Sequence, residues 1–297
     1  MTEWQQNLPT DEYSPLVQGS ADKRIGAILA ADGKLGSLEI DRILELQRKR
    51  RLRFGEAAVR LGFIKVNDLR DAMATQYDLP HLRHDNGRLN SELVVAYEPF
   101  HRCAEQIRAL RAQLLMRWAR DQHASRSLAV VSPGPGEGRT YLAANLAVAF
   151  AQLGERTLLI DADMRRSRLH RIFDVPDRVG LSSILSRRAT LEAIVPIHEL
   201  GLLSLLPAGA PPPNPVELLS RDGFSSLLRE VRTKFDVVVF DTPAATVSAD
   251  AQTVAFRAGT ALLLARRDTT RLTDANALVQ TLANASVDTL GAVVNSY

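Results

Sequence analysis

The chain has 297 residues, of which 45% are hydrophobic and 24% charged, and its net charge at neutral pH is +3. That length exceeds one typical domain, and so small a charge surplus gives no reason to expect a nucleic-acid partner. No stretch approaches the roughly 18 consecutive apolar residues of a membrane span, and the opening Met1-Thr-Glu-Trp-Gln-Gln lacks a signal-peptide pattern, so a cytoplasmic protein is expected. The single cysteine, Cys103, excludes an internal disulfide. Residues 1–19 show no period and are expected to be a mobile N-terminus.

Residues 20–82 contain an internal repeat. Arg24-Ile-Gly26 recurs as Arg53-Phe-Gly55, Gly33 as Gly62, Ile40 as Leu69 and Gln47 as Gln76, each pair 29 positions apart. Two 24-residue units separated by the five residues Arg48-Lys-Arg-Arg-Leu52 account for that offset. Apolar spacing within each unit predicts a short helix, a turn at the second glycine and a longer amphipathic helix ending near the glutamine. The result is a small all-α domain. The repeat resembles the N-terminal domain of type II secretion and pilus-assembly ATPases, some of which bind cyclic di-GMP through paired motifs of this kind. The resemblance implies a candidate cyclic di-GMP site at Arg24, Gly26, Gly33, Gln47, Arg53, Gly55, Gly62 and Gln76. Arginine can stack on guanine and pair with phosphate, and a glutamine amide can meet base edges. A protein-docking module with the same fold is the other reading. The basic spacer suits a solvated helix C-terminus.

Residues 83–99 hold Asn86-Gly87 and Glu98-Pro99 without a sustained period, and are expected to form a linker. The segment that follows carries Glu105, Arg108 and Arg111 at helical spacing, where residues three apart are neighbours.

The second domain, 100–297, opens its chemistry at Ser132-Pro-Gly-Pro-Gly-Glu-Gly-Arg-Thr140. The apolar run Ser127–Val131 before it predicts a buried strand, and Tyr141–Phe150 after it predicts a helix. Strand, glycine-rich turn and helix form the setting of a phosphate-binding loop, in which backbone N–H groups converge on phosphate oxygens at a helix N-terminus. Gly134, Pro135, Gly136, Glu137, Gly138, Arg139, Thr140 and Tyr141 are therefore the candidate nucleotide-binding residues, with the Thr140 hydroxyl available to magnesium. Two departures stand out: Pro133 replaces the first glycine of the usual pattern, and Arg139 stands where such loops carry lysine.

Two further apolar runs each end in carboxylates. Thr157–Ile160 leads into Asp161-Ala-Asp163, and Asp236–Phe240 leads into Asp241. In a parallel sheet, ligands bind beyond the carboxyl ends of the strands, so these aspartates are expected to converge on the loop. Carboxylates beside a triphosphate need a divalent cation between them, which implies Mg2+ with Thr140, Asp161 and Asp241 as candidate ligands. Asn295, at the end of the apolar run Gly291–Val294, is a candidate contact for adenine. The fold class is α/β, a P-loop parallel sheet flanked by helices and preceded by the all-α domain.

Residues 100–297 resemble the bacterial tyrosine kinases of capsular and exopolysaccharide synthesis. The resemblance rests on the loop, on Leu-Leu-Ile-Asp-Ala-Asp-Met-Arg-Arg at 158–166, Leu-Pro-Ala-Gly at 206–209, Pro-Asn-Pro-Val-Glu-Leu-Leu at 213–219 and Phe-Asp-Val-Val-Val-Phe-Asp-Thr-Pro at 235–243. Partition and septum-site ATPases share the fold but carry an extra lysine at the place of Gly134. The resemblance implies phosphoryl transfer from ATP to tyrosine, with Arg139, Asp161, Asp163 and Asp241 as catalytic residues and Asp161 or Asp163 as the base. It also implies a homo-oligomeric ring joined through Glu105, Arg108 and Arg111. The implied partner is an integral-membrane polysaccharide chain-length determinant, which would hold the chain at the inner face of the plasma membrane.

The family's tail usually carries several tyrosines, whereas this chain offers Tyr297, its last residue, as the phosphoacceptor. Two functions follow: an autokinase that paces exopolysaccharide polymerisation and export, or a non-catalytic or weakly hydrolytic nucleotide-binding regulator that signals from the N-terminal domain.

Overall fold

The apolar spacing of the N-terminal repeat resolves into four helices in the computed structural model, which describes residues 24–77, 79–82, 88–119 and 126–296. Residues 1–19, expected to be mobile, and Tyr297 lie outside the described residues. The helices are α1 (Ile25–Ala31), α2 (Ser37–Arg50), α3 (Phe54–Arg60) and α4 (Val66–Gln76), the short–long, short–long order that the repeat predicts. Gly33 (φ 69°) and Gly62 (φ 74°) make the two tight turns in the left-handed region that glycine tolerates. Both long helices start with the same device: Glu39 accepts the Gly36 N–H at 2.6 Å, and Asp68 accepts the Lys65 N–H at 2.8 Å. Those pairs stand at equivalent repeat positions and each satisfies an N-terminal donor. Leu29, Ile43, Ala57, Ala58, Leu69 and Ala72 fill the core of this first unit.

The expected linker at 83–99 needs correction, because from residue 88 onward most of it packs into the second unit. A short helix, α5 (Val94–Tyr97), is held by side-chain amides. Asn145 accepts the Val95 N–H at 3.0 Å and donates to the Glu92 carbonyl at 2.8 Å, and Gln152 donates to the Val95 carbonyl at 3.1 Å. The Tyr97 hydroxyl donates to the Leu89 carbonyl at 2.8 Å. These bonds supply the backbone partners that a polar, aperiodic sequence cannot reveal. Residues 98–102 belong instead with the first unit, where Phe100 packs on the core and Glu98 lies 3.6 Å from Arg70.

The second unit continues through α6 (Arg102–Trp118), β1 (Ser127–Val131), α7 (Arg139–Gln152), β2 (Thr157–Asp161), α8 (Leu169–Ile172) and α9 (Leu181–Leu185). There follow β3 (Val195–Pro196), β4 (Leu203–Leu206), α10 (Pro215–Ser220), α11 (Asp222–Lys234) and β5 (Val237–Asp241). The chain closes with α12 (Asp250–Ala258), β6 (Thr260–Arg266), α13 (Leu272–Asn284) and β7 (Asp288–Asn295). The sheet order is β3-β4-β2-β5-β1-β6-β7, parallel throughout except for the short edge pair β3–β4.

Fully buried strands explain the unbroken apolar runs that the sequence shows at β1, β2 and β5. Helix α7 is buried from Leu142 to Ala151. The Trp118 ring of α6 meets Phe150 at 5.7 Å, and Phe224 of α11 packs edge-on against Phe240 of β5 at 6.1 Å. Pro215 opens α10 at its first turn, as the sequence suggests.

The turn into α9 lies backbone to backbone against the loop after β4. Leu181 and Ser182 donate their N–H groups to the Pro207 and Ala208 carbonyls at 2.8 and 2.9 Å. A Cβ on Gly180 would fall 2.1 Å from the Pro207 carbonyl oxygen and 2.6 Å from the Gly209 nitrogen, both backbone atoms. Gly180→Ala must part the two loops, and it is expected to lower the stability of the second unit by about 1–3 kcal/mol in urea denaturation.

Candidate functional site

The strand order decides what lies beside what. Strands β2, β5 and β1 are consecutive neighbours, so the loops at their carboxyl ends share one edge. Asp161 and Asp241 are direct register partners on β2 and β5, and the glycine-rich loop leaves β1 next to them. Asp161 is 0% exposed and Asp241 1%.

Their surroundings differ. One Asp161 oxygen accepts the Asp163 N–H at 3.2 Å, and the other accepts the Arg168 and Leu169 N–H groups at 3.3 and 3.2 Å. Asp161 thus organises the turn into α8. Asp241 takes a hydrogen bond from the Thr140 hydroxyl, while its buried Oδ1 has no donor among the described residues. Burial, reinforced by the Asp241 charge, raises the Asp161 carboxyl well above the usual range. Burial likewise pushes Asp241 up to about 7, against the opposing pull of Thr140 and Arg139.

Asp163 is half-buried and accepts the Arg165 and Arg166 N–H groups through one oxygen, at 3.2 and 2.9 Å. Its loop is tied to the other carboxylate loop by a residue that sequence reasoning missed. The Arg165 Nε donates to Asp250, a fully buried carboxylate at the start of α12, at 2.7 Å.

In the glycine-rich loop, Gly136 (φ 72°) and Gly138 (φ 104°) take left-handed conformations. A Cβ on Gly138 would lie 2.6 Å from the Asn295 amide nitrogen. Asn295 donates from that nitrogen to the Glu137 carbonyl at 3.0 Å, so the residue expected at adenine braces the loop. Glu137 is 2% exposed and folds inward. It accepts the Gly134 N–H at 2.8 Å and a short hydrogen bond from the Thr270 hydroxyl. Arg266 donates to the Gly136 carbonyl at 3.2 Å. Arg266 and Thr270 carry no functional signal in the sequence, because they approach the loop from more than 120 residues away. Pro135 is exposed, and the Tyr141 hydroxyl points to Cys103 of α6, 3.4 Å from its sulfur.

Arg139 is half-buried and turned against protein. Its Nε donates to the Thr242 carbonyl at 2.8 Å, and its Nη1 donates to the Gly134 carbonyl at 2.6 Å and to the Ser132 hydroxyl. Burial lowers the basicity of its guanidinium, while Asp241, Asp163 and Glu137 raise it.

The donor set fits a hard divalent cation. Asp241 supplies a buried oxygen with no protein donor and Thr140 a hydroxyl, both oxygen ligands of the kind Mg2+ prefers, whereas both oxygens of Asp161, the third expected ligand, accept backbone N–H groups. The loop at the N-terminus of the 14-residue α7 fits phosphate.

Other expected residues fall elsewhere. Glu105 is exposed on α6 and Arg108 half-buried, whereas Arg111 turns inward and donates to the Ala149 carbonyl at 2.7 Å. In the first unit, Arg24 and Arg53 are the N-caps of α1 and α3, and Gln47 and Gln76 lie in the last turns of α2 and α4. A Cβ on Gly26 would meet the Phe54 ring at 3.1 Å and one on Gly55 the Leu69 methyl at 2.4 Å, so both glycines stand at close side-chain contacts.

The buried Asp241 sets a pH dependence. An unfolded aspartate titrates near about 3.9, so between about pH 4 and 7 the folded chain holds a proton that the unfolded chain has released. Stability then falls as pH rises through that window. In chelator-treated buffer, the wild type is expected to lose about 3 kcal/mol more than Asp241→Asn between about pH 5 and 8. Urea denaturation at each pH measures this, and parallel curves would remove the case for a strained carboxyl.

Comparison with known proteins agrees with this geometry. Residues 128–297 match the CobQ/CobB/MinD/ParA nucleotide binding domain family. The chain is 35% identical to the tyrosine-protein kinase YwqD of Bacillus subtilis (strain 168) over 215 residues, covering 72% of this chain and 90% of that protein. It superposes on the kinase domain of the Escherichia coli tyrosine kinase ETK with a TM-score of 0.66 and 32% identity, covering 72% of this chain and 84% of the other. The septum site-determining protein MinD of Pyrococcus horikoshii OT3, solved with Mg-ADP, gives a TM-score of 0.51 at 27% identity over 58% of this chain and 70% of its own. The chain therefore belongs to the CobQ/CobB/MinD/ParA nucleotide-binding family and, within it, to the bacterial tyrosine-protein kinases.

Proposed function

We propose that the chain transfers phosphate from ATP to protein tyrosine and thereby paces the polymerisation and export of an exopolysaccharide. The observation that carries this reading is the grouping of Thr140, Asp163 and the donor-free oxygen of Asp241 beside a formed phosphate loop. When bound, Mg2+ would neutralise charge on the transferred phosphate. The chain's own residues do the rest. Loop N–H groups and the dipole of α7 hold phosphate oxygens, and Thr140 and Asp241 hold the metal. Asp163 accepts the tyrosine proton, because its carboxylate is the accessible one of the Asp161/Asp163 pair. Asp161, saturated by three N–H groups, keeps the Asp163 turn in place.

The acceptor is assigned to Tyr297, which lies outside the described residues. Tyr97 and Tyr141 are poorer acceptors, because the first is 5% exposed with its hydroxyl bonded to Leu89, and the second is half-buried against Cys103. No helix among the described residues is long and apolar enough to cross a membrane. In this reading the chain acts at the cytoplasmic face of the plasma membrane with an integral-membrane chain-length determinant. Ring formation through Glu105 and Arg108 goes with this reading, with Arg111 supporting the face from within.

One observation favours a second reading. The Arg139 donors that a kinase would turn to phosphate are partly spent on protein, which suits a nucleotide-binding regulator signalling from the N-terminal unit through cyclic di-GMP or a docked protein. Incubation with labelled ATP and Mg2+ separates the two. The kinase reading expects phosphotyrosine, reduced at least about 100-fold in Asp163→Asn with ATP binding retained. Nucleotide binding without phosphotyrosine would leave the regulator.

A further inference from the structure

Arginine in the place of the loop lysine poses a geometric problem. Lysine carries a compact ammonium that rotates freely, whereas guanidinium is a planar fork whose five N–H donors point in fixed directions. Half-buried beside the loop, an arginine needs acceptors for the donors that do not reach ligand, since an unpaired buried donor is costly. The structure provides them for two of the three nitrogens. The Thr242 carbonyl, at the end of β5, takes Nε; the Gly134 carbonyl and the Ser132 hydroxyl take Nη1. Nη2 has no protein acceptor among the described residues.

Ser132 is the one side chain in this set. It is 0% exposed, and its hydroxyl passes its own proton to the Gly134 carbonyl at 3.3 Å while accepting from Arg139. The loop backbone at 134 is thereby bonded twice, by Ser132 and by Arg139. Its N–H is meanwhile held by Glu137.

We propose that Ser132 is a positioning residue for Arg139: with the Gly134 and Thr242 carbonyls it fixes Nε and Nη1 of the guanidinium and leaves Nη2 as the donor for nucleotide phosphate. Arginine then serves in the lysine's place as a rigid strut that shapes the loop before nucleotide arrives. The proposal rests on the nucleotide-binding part of the reading above and not on tyrosine phosphorylation. A lysine at 139 has no planar fork to orient, so it needs Ser132 far less.

The test is a double-mutant cycle on Ser132→Ala and Arg139→Lys, read as ATP affinity by calorimetry in the full chain with Mg2+. Loss of one charge-assisted hydrogen bond is expected to weaken ATP binding about tenfold when Ser132→Ala is made in the wild type. The same change is expected to cost less than about twofold in the Arg139→Lys background. A role confined to loop packing would weaken both backgrounds equally, and that result overturns the proposal, as does no weakening in either. Ser132→Cys keeps the volume and weakens the acceptor, so it gives the same comparison if the alanine variant does not fold. Absence of ATP binding in all forms overturns the nucleotide reading itself, whereas binding without coupling between the two positions overturns only the role of Ser132.

Discussion

Two carboxylates lie side by side in the dry edge of the sheet, and the surrounding structure is arranged to tolerate them. Asp161 and Asp241 are register partners on adjacent parallel strands and almost without solvent. Burial raises both carboxyls, and the Asp241 charge adds to the rise at Asp161. Asp161 is compensated by three backbone N–H groups and so becomes the keystone of the turn that presents Asp163. Asp241 is compensated on one oxygen only. An uncompensated buried oxygen is a cost that folding alone would not retain, and a divalent cation beside it would turn that cost into affinity.

The loop depends on the same neighbourhood. Arg139 lends its charge to Asp241 while its donors lock the Gly134 and Thr242 carbonyls, so the cation that steadies the carboxylate also closes the turn. The far side of the loop is held by β6 and β7 and the turn between β6 and α13, through Arg266, Thr270 and Asn295. A loop clamped from both sides loses less freedom when a ligand arrives, which is the physical meaning of preorganisation. Asp250 extends the scheme: fully buried, it uses Arg165 to fasten the Asp163 turn to the segment after Asp241.

What the sequence disclosed follows from the range of each interaction. Strands β1, β2 and β5 were legible because buried parallel strands must be continuously apolar, and their terminal aspartates were legible because function sits at strand ends. The repeat was legible because helix caps and tight turns are local. Segment 88–97 was not legible: its order comes from the amides of Asn145 and Gln152, 50 and 57 residues on from Val95. The turn of Arg111 toward Ala149 and the bracing role of Asn295 were hidden for the same reason, since periodicity gives a face but not the neighbour on it.

In the N-terminal unit the repeated residues divide between packing, turns and helix starts. Gly26 and Gly55 lie against Phe54 and Leu69, and Gly33 and Gly62 take left-handed turns. The arginines sit at helix starts. Arg24 and Arg53 occupy the N-cap position, where a side-chain acceptor would be the favoured choice. A cation there opposes the helix dipole. Glu56 relieves this at α3 by accepting the Arg53 N–H at 3.1 Å, the same reach back from the third helical residue that Glu39 makes at α2 and Asp68 at α4.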